Sequence, residues 1–192
     1  MNDPAGEAQR AFLLVDKSHV LAQADAMDAL RAAGAAPSLY AGIPISIKDL
    51  FDVAGQVTTA GSRVLAQRPP ATADAPCVAR LRQAGFVFIG RTNVTEFAFS
   101  GLGLNPHFGT PLTPWHREEA HIAGGSSSGA AVSVVDGMAC AALGTDTGGS
   151  CRIPAAFTGL AGYKPTARRV SAAAERALIS RTSPPARIDC AY

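Results

Sequence analysis

The chain has 192 residues, 47% apolar and 17% charged, with a formal net charge of +2. That balance suits one domain with a buried core and excludes a disordered chain. The small charge favours no charged partner, and with aromatics at 6% the sequence lacks the basic, aromatic-interleaved character of a nucleic-acid binder. No apolar run approaches ~18 residues, so no membrane span is expected. Met1 to Arg10 is polar and does not read as a signal peptide. Cys77, Cys140, Cys151 and Cys190 form no C-x-x-C pair, which argues against a zinc ribbon or redox pair and for reduced thiols in a cytoplasmic setting. Cys140 is expected in the core.

Ala11 to Val15 reads as a short strand. Ser18 is expected to cap a helix from about His19 to Ala33, with a stripe of Val20, Leu21, Ala24, Met27 and Leu30 and a stop at Gly34. Gly42 to Lys48 alternates as a strand does: Ile43, Ile45 and Ile47 on one side, Pro44, Ser46 and Lys48 on the other. A lysine at a strand end is ordinarily solvated. Free lysine titrates near ~10.4; only desolvation or a nearby cation frees its amine to act as a base. Asp49, next to it, would hold it charged if too close. Residues 55–74 read as loop, Ala75 to Ala84 as a helix, Phe86 to Ile89 as a buried strand, and a further helix is expected from about Asn93. Asn93 either caps that helix or, with Glu96, supports a site. The alternation of strand and helix points to an α/β fold.

Gly101 to His121 is irregular and holds His107, His116 and His121. A Ser-His-Asp triad would draw on one of these; pocket or surface roles are the plainer reading. Metal binding would need convergent acids, and only Glu118 and Glu119 are close in sequence. The tail from Ala167 is arginine-rich, with Pro184-Pro185 and a helix expected only around Ser171 to Leu178.

Gly124 to Pro154 organises the rest: two Ser/Gly loops, Gly124 to Gly129 and Thr145 to Ser150, joined by a short helix, a stop at Asp136-Gly137 and a buried strand. Gly-Gly-Ser-Ser-Ser-Gly alone is compatible with a flexible linker. It also fits G-x-S-x-G around Ser127, but no strand precedes it as a nucleophile elbow requires. No Gly-Lys pair exists for a phosphate loop, and Gly101-Leu102-Gly103 lacks the third glycine of a dinucleotide fingerprint. Two hydroxyl-bearing loops rich in free amides instead suit a nucleophile beside donors for a developing negative charge.

These loops, with Arg152-Ile153-Pro154, Gly159 to Thr166, Gly42 to Asp49 and Arg91 to Phe97, resemble the signature segments of the amidase signature family of serine hydrolases, in the family's order. The resemblance implies a mixed central β-sheet flanked by helices, a partial catalytic domain over residues 1–166 and a divergent or poorly structured tail of the same domain over 167–192. It implies a catalytic set of Ser150 as nucleophile, Ser126 as bridging serine after a cis Gly125–Ser126 bond, and Lys48 as base. The amides of Thr147, Gly148, Gly149 and Ser150 would form the oxyanion hole, with Gly125, Asp146 and Arg152 in support. Cys151 follows Ser150 directly and is the lesser candidate for a nucleophile, because the preceding serine occupies the matching position.

The expected reaction is hydrolysis of a carbon–nitrogen amide bond in a small-molecule substrate, without metal or cofactor, direct nucleic-acid contact or membrane, and with a homodimer left open. The alternatives are an amidotransferase subunit that releases ammonia from glutamine for tRNA-dependent amidation, and an inactive remnant. Family members are more than twice this length, so the chain reads as a truncated member with part of the sheet and pocket wall missing.

Overall fold

The computed structural model describes residues 6–167 and 169–171. Four strands form a mixed sheet in the order β1-β3-β2-β4, with β1 Phe12–Leu14, β2 Pro44–Lys48, β3 Val87–Thr92 and β4 Ala141–Leu143. β2 runs parallel to both neighbours, while β1 pairs antiparallel with β3. A register shift between Ile45 and Ser46 brings Ile47 level with Arg91 and Lys48 level with Thr92.

The central place of β2 explains its burial. Both edges are hydrogen-bonded and both faces are covered, so everything from Ile45 to Lys48 is inaccessible. Parallel strands buried on two faces usually read as continuous apolar runs; here every second residue is polar. Ile45 and Ile47 pack with Phe51, Val53, Val78, Phe88 and Leu143, where helix α3 (Pro76–Gln83) covers the sheet. The opposite side chains, Ser46 and Lys48, meet helix α4 (Ser128–Val135) and its leading loop; Ser46 Oγ and Ser133 Oγ lie 2.8 Å apart.

Several elements depart from the sequence reading. A one-turn helix, α1 (Ala8–Ala11), precedes β1. Helix α2 spans Lys17–Ala32, and its N-cap is Asp16, whose carboxylate accepts the His19 N–H at 3.1 Å. Ser18 is instead the donor to Asp16, at 2.7 Å. Asp16 carries the cap because it sits in extended backbone just before the helix, where a side-chain oxygen can reach an unpaired amide. The α2 stripe is only partly covered: Val20 packs against Phe12 and Ile89, but Leu21 is half exposed.

No helix starts at Asn93. A short 3-10 turn, Glu96–Ala98, takes its place, with Phe97 at φ 57°. Asn93 is therefore no cap. Its amide donates to Arg10 O and Gly109 O, both at 2.8 Å, and its Oδ1 accepts the Val94 N–H.

The expected helix, stop and strand after the first serine loop are present as α4, Gly137 at φ 70° and β4. Cys140 is exposed rather than core: it lies just before β4, the last strand on that side among the described residues. Helix α5 (Arg152–Thr158) follows the second loop. The tail helix lies, beyond Ser171, outside the described residues, as does Cys190.

Two glycines on α4 and its stop give contrasting expectations. A Cβ at Gly129 would run into Ala11 O and lie 2.6 Å from Asn93 N, both backbone atoms, whereas one at Gly137 meets nothing within 4 Å. Gly129→Ala is expected to destabilise by roughly 3 kcal/mol or more through overpacking. Gly137→Ala should lose only about 1 kcal/mol, from its left-handed backbone. Urea unfolding of the two variants measures the difference.

Candidate active site

Lys48 ends β2 with no exposed surface. Its Nζ donates to three hydroxyls: Ser126 Oγ at 2.7 Å, Ser127 Oγ at 2.9 Å and Thr145 Oγ1 at 2.6 Å. Two come from the loop before α4 and one from the loop after β4, so this one amine ties both serine loops to the central strand. All three of these contacts are to hydroxyls. A hydroxyl can donate or accept, so the three can adapt whether the amine carries a proton or not.

The first loop is shaped by close packing. The Gly125–Ser126 peptide bond is cis. A Cβ at Gly125 would lie 2.6 Å from Gly103 N and 3.0 Å from Thr95 Oγ1, so only glycine fits. The Thr95 N–H donates to Ser126 O at 3.2 Å, and the Gly129 N–H to Asn93 O at 3.1 Å. The segment after β3 thus seats the loop. Ser126, Ser127 and Ser128 are all fully buried.

Asp146 organises the second loop. Its carboxylate accepts the N–H groups of Gly149 at 2.8 Å, Cys151 at 3.2 Å and Arg152 at 3.3 Å, and is gripped by the Arg152 guanidinium through two contacts of 2.9 Å. Burial works to raise the Asp146 pKa, but the Arg152 hydrogen bonds and the three amides outweigh it and hold it at about 2. Gly149 has φ 124°, and a Cβ there would lie 2.8 Å from Ile153. This fixes the loop, with the Gly149 amide turned to Asp146. Space beside Gly148 is open.

Ser150 is half-buried, and its carbonyl accepts the Ser127 N–H at 3.2 Å, so the two loops touch. Among the described residues its hydroxyl makes no hydrogen bond, while Ser126 Oγ is engaged by Lys48. The structure therefore gathers Lys48, Ser126 and the Ser150 loop in one place, with Gly125, Asp146 and Arg152 as its scaffold. The sequence reading missed Ser127 and Thr145 as lysine partners. The available signal was their position in the two hydroxyl-rich loops.

Other candidates fall elsewhere. His107 pairs with Glu96 at 3.3 Å. His116 and His121 pair with Glu118 and Glu119. The His116, Glu118 and Glu119 side chains converge to within 4.8 Å, all exposed. Cys151 is buried. Among the described residues no helix is long and apolar enough to cross a membrane.

The family model described as Amidase matches residues 4–183. The A-type subunit of the glutamyl-tRNA(Gln) amidotransferase of Cupriavidus metallidurans is 48% identical over 167 residues, covering 87% of this chain and 33% of that one. A chain of a vestigial protein complex, solved for the evolutionary origins of an s-triazine catabolic enzyme, superposes with a TM-score of 0.83 at 39% identity, over 90% of this chain and 37% of that one. The native peptide amidase of Stenotrophomonas maltophilia gives a TM-score of 0.73 at 36% identity, over 82% and 32%. The chain spans about a third of the length of the curated relatives it matches.

Because the Asp146 pKa is depressed when folded, its contribution is present above the ordinary carboxylate range and is lost as pH falls from about 4 through about 2. Asp146→Asn should lower stability at neutral pH by about 1–2 kcal/mol, allowing for the partly solvated Arg152, and should flatten the acid limb. Thermal melts from pH 2 to 7 check both effects.

Proposed function

The chain belongs to the amidase family, and from that premise we propose that it carries the reacting part of an amide-bond hydrolase. In this reading Ser150 is the nucleophile, Ser126 the bridge and Lys48 the base. The single observation that supports it best is the fully buried Lys48 amine 2.7 Å from Ser126 Oγ, directly behind the half-buried Ser150 loop. Burial works against the ammonium form, and the hydroxyl shell tolerates its loss.

In the proposed cycle neutral Lys48 takes the Ser126 proton while Ser126 takes that of Ser150. The Ser150 oxygen attacks the amide carbon, and the carbonyl electrons move to its oxygen. The amides of Thr147, Gly148 and Ser150 stabilise that oxyanion; each such donor is typically worth ~10²–10³ in rate. Collapse breaks the carbon–nitrogen bond, and the proton returns through Ser126 to the leaving nitrogen. Water then cleaves the Ser150 ester by the same relay, giving a carboxylate and ammonia or an amine. Asp146 and Arg152 act on the geometry of the donor loop. The substrate is a small-molecule amide.

One observation favours a second reading. The relative at 48% identity is named as part of an amidotransferase, which would make the amide glutamine and require partner subunits. Ammonia release from glutamine that depends on added partner subunits would select it; release or amine formation by the chain alone would select the free amidase.

The decisive measurement for both is fluorophosphonate labelling of the purified chain. Labelling is expected, abolished in Ser150→Ala and reduced at least ~100-fold in Lys48→Ala. A folded chain that takes no probe would overturn the hydrolase reading and leave an inactive remnant.

A further inference from the structure

Asp49 is the residue that should defeat a lysine base. It follows Lys48 directly and is 1% exposed. Asp49 is the first residue past β2, in a turn, and its ion pair with β3 shows where its carboxylate goes. Lys48 goes to the serine loops, while Asp49 shares a face with Ile47 and with Arg91, which stands level with Ile47 on β3. There the Arg91 guanidinium grips Asp49 Oδ1 through Nη2 at 2.9 Å and Nε at 3.2 Å, both side chains almost inaccessible. Asp49 Oδ2 accepts the backbone N–H and hydroxyl of Thr59, and Arg91 also donates to Phe51 O. Arg91 Nη1 has no hydrogen-bond partner among the described residues, so the pair matches charge while leaving one donor unmade.

We infer that the Asp49–Arg91 ion pair sets the protonation balance of Lys48 by cancelling, on the far face of the strand, a carboxylate that would otherwise hold the amine as ammonium. Arg91 is a positioning residue in the electrostatic sense: it touches no reacting atom and acts through Asp49. The carboxylate of the second loop is matched as well: Asp146 is paired with Arg152. The loops before α4 and after β4 bring the hydroxyls of Ser126, Ser127 and Thr145 to the amine. The consequence for catalysis rests on the hydrolase reading, but the lysine's titration can be read without it.

A purely structural brace and a charge balance predict different things. Losing either partner of a brace lowers stability alike. Losing either member of a charge pair leaves a buried charge of opposite sign, so the two variants act in opposite directions on a neighbouring amine.

The test is nuclear magnetic resonance titration of the full chain with 13C at lysine Cε. Only Lys17, Lys48 and Lys164 contribute signals, and Lys48→Met assigns the one of interest. In Asp49→Asn the lone Arg91 cation should lower the Lys48 midpoint, and in Arg91→Met the lone Asp49 anion should raise it, each by on the order of one pH unit. Asp49→Asn/Arg91→Met should return it to within about 0.3 units of the parent, and Arg91→Lys should leave it near the parent. Melts of each variant show which are folded; if Arg91→Met is not, Asp49→Asn and the double variant decide. Midpoints that stay put, or that move the same way in both single variants, overturn the inference. Probe labelling is scored separately: a parent chain that titrates as stated but takes no probe fails only the hydrolase reading, whereas one that labels while the midpoints stay put fails only this one.

Discussion

The structure hangs on one buried amine. Lys48 sits at the end of the central strand, where both edges are paired and both faces covered. A lysine there must find partners for its donors or lose its proton, because burying an unpaired ammonium is prohibitive. The partners it finds are hydroxyls from two loops, Ser126 and Ser127 from one and Thr145 from the other. The same contacts that satisfy the amine therefore pull the ends of the α4–β4 unit together over the sheet. Fold and candidate site share a single set of hydrogen bonds.

Around that centre, charge is distributed in matched pairs. Asp146 is neutralised by Arg152 and by the amides of its own loop, which orients the Gly148–Ser150 backbone. Asp49 is neutralised by Arg91 on the opposite face. Neither carboxylate is left to compensate Lys48 alone. A buried ion pair such as Asp49–Arg91 is a weak source of stability, so its value here lies in shaping the field around the amine, while Asp146 with the half-exposed Arg152 fixes the loop backbone. The close glycine contacts serve the same end sterically: Gly125 against Gly103, and Gly149 against Ile153, leave the loops one way to lie.

The fold recurs within longer chains, one of which superposes at a TM-score of 0.83, and this chain corresponds to about a third of the curated relatives it matches. That third is the part that carries the lysine and both serine loops. The exposed apolar side chains Trp115 and Phe157 stand close to it: Phe157 lies against Gly124 and Trp115 against Gly159.

The sequence by itself determined the α/β character, the order of the elements around the serine loops and the identity of the family, because those rest on local periodicity and on ordered runs of glycine and hydroxyl residues. It placed Lys48 on the correct side of β2 through simple alternation. It could not decide whether that lysine is solvated, since burial depends on which strand ends up central, and that is set by the pairing of β2 with both β3 and β4. Nor could it see that Asp16 rather than Ser18 caps α2, that Asn93 binds loops instead of starting a helix, that Cys140 faces outward, or that the Gly149 amide turns to Asp146. Each of these depends on a partner distant in sequence or on backbone geometry that no residue type prescribes. Thr145 and Arg91 became meaningful only when tertiary structure set them against Lys48 and Asp49, because hydrogen bonding and charge compensation are properties of distances, and distances belong to the fold.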